Sequence, residues 1–392
     1  MKRSLVILVA ILMALLMLVA SCDNNKFALL RQSDKTPNDN INHDDDGGTG
    51  NVRGCAPRDP GGQRFPDLVL NNAQPSGNFS CVDGTSRCVQ INMPGIIDPV
   101  TGEPLVLKQG KNIFIEEDGK PQGFNLFKVE AGDVLQVDLV FTVDNSGSMG
   151  GESDAIAAGI VAFAQLLEAG GLDVRFASVG NDHGGVNGAL NFSTAERLEQ
   201  YLNFRNGSSV SGTSRTVGYE GADSAALNAL ATSDFHAPVG GENGVVMVLF
   251  ADSAFDWRPG AQRQYINFTD EPTQPGGQPD FATQTMCDKI GGTSTVHTVW
   301  SGSSDTTGFN RDPLEDEAPW DMSTCSGGLV SIINSSGSNL DLTTLPVVGS
   351  LTSSYRITFE SANRNVPHSI RILVKDENVD GETILTEVRY CP

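Results

Sequence analysis

The amino-acid sequence predicts an α/β protein: a doubly wound, mostly parallel sheet that is inserted in, or flanked by, a β-sandwich. Over residues 136–350, strand-like apolar runs alternate with a helical pattern, as in parallel sheets covered by helices on both faces. Residues 51–135 and 351–392 are rich in turn residues and short strand patterns, which are typical of antiparallel sheets. Because the two flanks share this character, we expect them to form one sandwich with the α/β domain inserted between its strands.

The first 22 residues have the pattern of a targeting segment. Lys2 and Arg3 precede the apolar run Leu5–Leu18, and small residues then lead to Cys22. The end of this segment, Val-Ala-Ser-Cys, resembles the lipobox of bacterial lipoproteins, which implies cleavage before Cys22 and lipidation of that cysteine. Such an anchor would place the protein in the bacterial cell envelope, with the outer membrane or cell surface expected and the inner membrane as the alternative, because Asp23 after the cysteine is an inner-membrane signal in enteric bacteria. A plain signal peptide and a single membrane anchor are the alternatives.

Composition indicates the kind of partner to expect. Residues 23–50 are rich in Asn, Asp, Gly and Thr and predict a disordered linker. Over the whole chain, 48 acidic residues oppose 26 basic ones, for a formal net charge of -22. Since such a chain has little to neutralise phosphates with, we expect no nucleic-acid partner. An acidic surface is better suited to divalent cations.

The cysteines predict disulfides. The chain has seven, so six remain besides Cys22, and an even number in an exported protein favours disulfide pairing. Their connectivity stays open, although Cys81 and Cys88 are close enough to close a hairpin and Cys391 could pair with the N-terminal half. A zinc site is disfavoured because no Cys-x-x-Cys spacing occurs.

Apolar, β-branched runs predict the strands of the α/β domain. The first, Val137–Val143, precedes a helical pattern over Ser153–Glu168, which Ser153 or Asp154 could cap. The run Val245–Phe250 would fit a strand by composition, but we interpret it as a helix because a Trp-Arg-Pro-Gly turn then leads into the next strand. The further strands are Val174–Val179, Gln264–Thr269 and Val296–Trp300.

Short alternating patterns predict strands in both flanks. Asp380-Gly381 is interpreted as a turn between two of them. The flanking strands are Asn112–Glu116, Phe124–Val129, Ser354–Phe359, Ser369–Val374 and Ile384–Tyr390.

Three oxygen-bearing side chains follow the first strand of the α/β domain: Asp144, Ser146 and Ser148. Ligand sites of doubly wound sheets lie at such carboxyl ends of strands, and hard oxygen ligands suit Mg²⁺, with Mn²⁺ and Ca²⁺ as alternatives. The sequence VFTVDNSGSMG, with its D-x-S-x-S pattern between a strand and a helix, resembles the metal-ion-dependent adhesion site (MIDAS) of von Willebrand factor type A (VWA) domains.

The resemblance implies two further ligands from later loops. Asp270, in RQYINFTDEP, again follows a strand, and Asp252 is its rival. Residues 240–274 resemble the I-like domain of integrin β subunits, where a glutamate opens a helix and a threonine-aspartate ends the next strand. On that resemblance Glu242 is the ligand, with Thr213 or Thr216 as the alternative if the site is of the threonine type.

What the resemblance implies is adhesion or protein binding through a metal ion. Ser146, Ser148 and Glu242 would coordinate it directly, and Asp144 and Asp270 partly through water. One coordination position would stay open for an acidic side chain of a protein partner. The paired acids that bind an adjacent calcium in integrin β subunits are replaced here by Gly151 and Glu152, with Asp154 nearby, so a second metal site is not expected.

Two other functions are alternatives. An enzyme is disfavoured because no G-x-S-x-G elbow occurs. His183 has the context of a polar loop, and His297 lies within a strand and is expected to be a packed or edge residue. The second alternative is an envelope scaffold whose VWA domain binds partners without metal dependence.

Overall fold

A computed structural model describes residue 55 and residues 64–81, 88–130, 133–182, 185–203, 218–235, 241–302, 314–361 and 366–390. The predicted targeting segment with Cys22, the linker, and Thr213, Thr216, His183 and Cys391 lie outside the described residues. Within the described part of the chain, no helix is both long and apolar enough to cross a membrane.

The described elements alternate between strands and helices in the middle of the chain and are strands towards both ends. The strands are β1 (Asn78–Cys81), β2 (Cys88–Met93), β3 (Ile113–Glu117), β4 (Lys120–Pro121), β5 (Asn125–Lys128), β6 (Leu135–Asp144), β7 (Leu172–Asp182), β8 (Gly185–Ser193), β9 (Gly218–Glu220), β10 (Gln262–Thr269), β11 (Ser294–Trp300), β12 (Val330–Ile332), β13 (Tyr355–Glu360), β14 (His368–Lys375) and β15 (Asp380–Val388). The helices are α1 (Gly150–Ala169), α2 (Ala195–Asn203), α3 (Ser224–Asp234), α4 (Gly244–Ala254), α5 (Thr283–Ile290), α6 (Asp321–Ser326) and α7 (Pro346–Thr352).

A seven-stranded sheet forms the centre of the α/β part, in the order β12-β11-β10-β6-β7-β8-β9. Its neighbours pair in parallel except β7 and β8, which are antiparallel. The central strand β6 is buried on both faces because its apolar side chains alternate between two helix layers: Leu139, Phe141 and Val143 point to one, and Val140 to the other. The predicted α/β class with a mostly parallel sheet is thereby confirmed.

Two helix layers cover this sheet. Helices α1, α2 and α7 pack on one face, where Phe141 stacks on Phe268 with ring centroids 5.7 Å apart. Helices α3 to α6 pack on the other face. Every residue of the run Val245–Phe250 is buried within α4, which confirms the prediction of a helix there and explains why its composition also fits a strand: it is apolar all round.

Two four-stranded antiparallel sheets form the rest of the described structure, in the orders β1-β2-β13-β5 and β15-β14-β3-β4. Strands that precede and follow the α/β segment are combined in each sheet. Between the sheets lies one apolar core, to which Ile91, Ile115, Ile357 and Ile372 contribute, as in sandwiches whose inner faces interdigitate.

Two predicted boundaries were wrong. Helix α1 begins at Gly150, not at Ser153, because a 3-10 turn over Gly147–Met149 runs straight into it; Ser153 and Asp154 therefore lie inside the helix and not at its cap. Asp380 opens β15 instead of forming a turn, and the chain reverses just before it, where the Asp376 amide donates to the Val379 carbonyl. The buried Asp380 carboxylate accepts hydrogen bonds from the backbone amides of residues 69–71 and from Lys375, which fixes this residue in the strand.

The disulfides differ from the predicted hairpin. Cys88 is bonded to Cys55, and Cys287 to Cys325. Cys81 is also disulfide-bonded. The prediction that Cys81 and Cys88 close a hairpin was therefore wrong, although the strands that carry them are neighbours.

Candidate functional site

The predicted oxygen cluster begins where β6 ends. Asp144 is 1% exposed, and β6 lies between β7 and β10, both parallel to it, so three strands end at the same edge of the sheet. The Asp144 carboxylate accepts from the Ser146 amide at 2.9 Å, and the Thr269 hydroxyl lies 3.2 Å from it and 3.0 Å from the Glu271 carbonyl, so that its one proton can serve either acceptor. These contacts hold the buried carboxylate at the base of the cluster.

The two serine hydroxyls lie above this carboxylate, towards solvent. Their Oγ atoms are 2.8 Å apart, because the 3-10 turn at Gly147–Met149 brings Ser148 back beside Ser146. Met149 is buried under the turn and anchors it. Ser148 is exposed, so the cluster opens to the surface on this side.

Asp270 joins the cluster from the end of β10. Its Oδ1 accepts a hydrogen bond from the Ser148 hydroxyl at 3.2 Å. The rival residue, Asp252, lies instead on α4 and approaches Arg263, with 3.5 Å between the charged atoms. Arg263 is at the opposite end of β10 from Thr269, about 20 Å away at the rise of an extended strand. The structure therefore brings Asp270, and not Asp252, to the serines.

Glu242 reaches the cluster from the segment before α4. It is 6% exposed, and its carbonyl accepts from the Gln274 amide at 3.1 Å. The next residue, Asn243, caps α4 through the Val246 amide at 3.2 Å, and its own amide donates to the Asn181 side chain at 2.8 Å. Glu242 is thus held between the loop after β10 and the end of β7.

The electrostatics show that the charges of Glu242 and Asp270 act on the Asp144 carboxylate. Burial raises the pKa of Asp144, the Ser146 amide opposes that shift, and the charges of Glu242 and Asp270 add to it, so that the pKa reaches about 7. The two charges that act most strongly on the pKa of Asp144 are thus both negative. The cluster is therefore a site of concentrated negative charge whose carboxylates would be stabilised in their ionised forms by a cation.

The donor set is a mixed one. Within the residues that the structure describes, no group of three or more His, Cys, Asp or Glu side chains is arranged to hold a metal ion alone. A cation here would need the hydroxyls of Ser146 and Ser148 beside the carboxylates. That is the donor chemistry of a hard cation such as Mg²⁺, and it fits the residues that converge.

Two residues at the site were not identified from the sequence. The first is Thr269, whose hydroxyl lies beside the Asp144 carboxylate. Its position directly before Asp270, at a strand end, could have indicated a role at the site. Glu152, in the first turn of α1, is 1% exposed, and its Oε2 has no hydrogen-bond partner in the described part of the chain; burial raises its pKa, a hydrogen bond with Ser301 opposes the shift, and Asp270 adds to it. The signal for its burial was its spacing of four residues from Ile156 on the apolar face of the helix.

His297 has no place in this cluster. Its ring is buried within β11, 3.0 Å from the Gln264 side-chain oxygen through Nε2, while Nδ1 accepts from the Leu329 amide at 3.1 Å. Both nitrogens are satisfied only when Nε2 carries the single proton. Burial lowers the pKa of His297 from its ordinary 6.5 to about 3. The predicted packing role of this histidine is confirmed.

Comparisons with known proteins add little beyond this geometry. No protein-family model matches the chain, and no curated protein matches it. One similar solved structure is proximal thread matrix protein 1 from the mussel byssus, described with a zinc-occupied MIDAS motif. It aligns with a TM-score of 0.35 and 12% identity over 59% of this chain, and the alignment spans only 49% of that protein.

The buried His297 makes a component of stability depend on pH. Below about pH 6.5 the unfolded chain takes up a proton on this ring that the folded protein refuses until about pH 3, so stability is lost as the pH falls through this window. Within this pH range, the free energy of unfolding falls by about 1.4 kcal/mol for each pH unit. We expect His297→Gln to remove this component, measured as the difference between the two proteins in denaturant midpoint from pH 7 to pH 4. Parallel pH profiles would contradict a neutral buried ring.

Proposed function

We propose that residues 136–350 form a VWA domain whose strand-end cluster binds Mg²⁺ and, through it, an acidic side chain of a protein partner. The ligands would be Asp144, Ser146, Ser148, Glu242 and Asp270, with Mn²⁺ or Ca²⁺ as alternatives to Mg²⁺. The observation that supports this most is the convergence of hydroxyl and carboxylate oxygens from three separate chain segments on one buried aspartate.

The charge of the cluster supports a cation. The charges of Glu242 and Asp270 raise the pKa of Asp144, because like charges disfavour ionisation in a buried setting. A bound divalent cation would reverse that effect and supply Lewis acidity towards an incoming carboxylate. Thr269 would then serve as a positioning residue, since its hydroxyl lies beside one oxygen of Asp144.

The shape of the cluster supports a protein ligand over a small substrate. Asp144 is at the closed, buried end, and Ser148 is at the exposed end. A partner's carboxylate would therefore approach from the side of the Gly147–Met149 turn. We propose a binding protein and not an enzyme. The described histidine of the central sheet, His297, is held neutral in the core by its two hydrogen bonds.

A metal-independent scaffold is the second candidate. The observation that favours it is the hydrogen bonding inside the cluster: Ser146 with Ser148, and Ser148 with Asp270. These contacts close the oxygen set on itself without a cation. The surface around Ser148 could then dock a neighbouring protein by hydrogen bonds alone.

The place of the protein is proposed from its sequence. The lipobox-like end at Cys22 favours a lipid anchor in the bacterial cell envelope, at the outer membrane or cell surface, with residues 23–50 as the tether. The antiparallel sheets built from residues 51–135 and 351–392 would then act as the stalk that carries the VWA domain. More than one acyl chain is needed for stable anchoring, as lipoproteins of this type provide.

The first test concerns the cation. Asp144→Asn keeps the shape of the side chain but removes the central charge, so we expect Mg²⁺ affinity measured by calorimetry to fall about 10- to 100-fold, as when a residue that orients or supports a metal's ligands is removed. The matched control is Asp252→Asn, which removes an equal charge from α4 and should leave Mg²⁺ affinity unchanged. Mg²⁺ binding that survives in Asp144→Asn and disappears in Asp252→Asn would overturn the assignment.

The second test separates adhesion from scaffolding. Envelope proteins are captured on the immobilised full chain in Mg²⁺ and again in chelator, with Asp144→Asn as a parallel bait. We expect a partner that is retained only in Mg²⁺ and only by the unmodified chain. Capture that is equally strong in chelator would favour the metal-independent scaffold.

The third test concerns the anchor. Cys22→Ser should abolish incorporation of labelled palmitate and move the protein from the membrane fraction to the soluble fraction of the expressing bacterium. Cys81→Ser is a control, because it removes a cysteine that is disulfide-bonded. If Cys22→Ser still carries label and sediments with membranes, the lipoprotein assignment is wrong.

A further inference from the structure

A cleft lies between the sandwich and the α/β part, at the edge of the central sheet opposite to Asp144. It has a volume of about 180 Å³ and is bordered by Leu135 and Gln136 at the start of β6, by the turn at Gly260, and by one face of the sheet β1-β2-β13-β5. The volume is many times the roughly 10–15 Å³ that a single water requires. The cleft can therefore hold more than one isolated water.

The register of the sandwich sheet makes this face polar. Gln90 is paired with Ser80, and Asn92 with Arg356, so these side chains lie on the same face, while the alternate residues point into the sandwich core. The amides are fixed in place: Gln90 donates to Asn92 at 3.0 Å, and Asn92 donates to the Gly260 carbonyl at 2.7 Å. The floor of the cleft is thus preorganised.

Arg356 is the charged group of the cleft, and its donors are incompletely used. One terminal nitrogen donates to the Val134 carbonyl at 3.0 Å. The Nε atom is enclosed and meets no acceptor from the described residues. Burial lowers the pKa of this guanidinium, and the charge of Asp133 partly opposes the shift. Because Nε is closed off by protein, an acceptor oxygen in the cleft would instead contact the terminal nitrogens of Arg356, which lines the cleft.

The lining also differs in charge from the rest of the molecule. The chain carries a formal net charge of -22, yet the described residues that line this cleft include Arg356 and no aspartate or glutamate. A guanidinium surrounded by neutral amides and a hydroxyl is suited to an oxyanion, for which arginine offers planar, directed donors. A cation would find no carboxylate among the described residues of this lining.

We propose that this cleft binds a small oxyanion, a carboxylate or a phosphate group, with Arg356 as the charged donor and the amides of Gln90 and Asn92 as its polar floor. Because the cleft is bordered by both parts of the chain, a bound anion would contact the sandwich sheet and the start of β6 together. The proposal is independent of the cation site, which lies at the other end of β6.

The test is an anion titration of the full chain at constant ionic strength and in chelator. Inorganic phosphate and acetate are added in separate series, and the arginine Nε–H resonances are followed by NMR. We expect one of the two anions to shift a single Nε–H signal saturably, and that signal to be missing in Arg356→Gln. The anion that saturates at the lower concentration identifies the ligand class.

Two variants complete the test. Affinity should fall at least tenfold in Arg356→Gln and stay unchanged in Arg371→Gln, which loses an equal charge on β14, where Arg371 pairs with Glu382. If Arg356→Gln does not fold, Arg356→Lys replaces it, because lysine keeps the charge but has no Nε–H. The spectra of the unmodified protein still show whether an anion binds saturably. Non-saturable shifts for both anions, or equal affinity in all variants, would overturn the proposal.

Discussion

The candidate site depends on one electrostatic constraint: a buried carboxylate, Asp144, is held next to two others. Parallel strands impose it, because β6 and β10 end at the same edge and deliver Asp144 and Asp270 to neighbouring positions. Burial then makes the charges more costly than they would be in water. The polar contacts around them, from the Ser146 amide, the Ser148 hydroxyl and Thr269, can be understood as partial compensation, and a cation would complete it.

The surroundings of the site are arranged to keep these groups in register. Asn243 connects the segment that carries Glu242 to the end of β7 and to α4, and the Gln274 amide binds the Glu242 carbonyl. The loop after β10 is held in turn by backbone pairing of Thr273 with Glu317, whose carboxylate caps α5 through Thr283. Side chains placed on rigid elements in this way need little reordering when a ligand binds.

Much of the fold could be predicted because its signals are local. The continuous apolar run of β6 and the apolar α4 are each explained by burial on all sides, which their composition already indicates. The start of α1 was missed because the 3-10 turn before it, within the described chain, has no capping side chain. Pairing of Cys88 with Cys55 could not be derived, since it depends on where a distant segment returns. At the site, Asp144 and the two serines could be predicted from their spacing after a strand. Asp270 and Glu242 could be assigned only through the family resemblance. The buried Glu152 was interpreted as a departure from that resemblance and not as part of the core.

The interleaving of the chain in the sandwich has a mechanical consequence. The central sheet is connected to the sandwich twice, through the segment from β5 to β6 and through that from α7 to β13, and β5 and β13 are neighbouring strands. Tension applied at the strand-end site is therefore shared by two covalent connections that enter adjacent strands. A pull would load their hydrogen-bonded ladder from the same side on both strands, and the force would enter the sandwich through a single sheet, β1-β2-β13-β5.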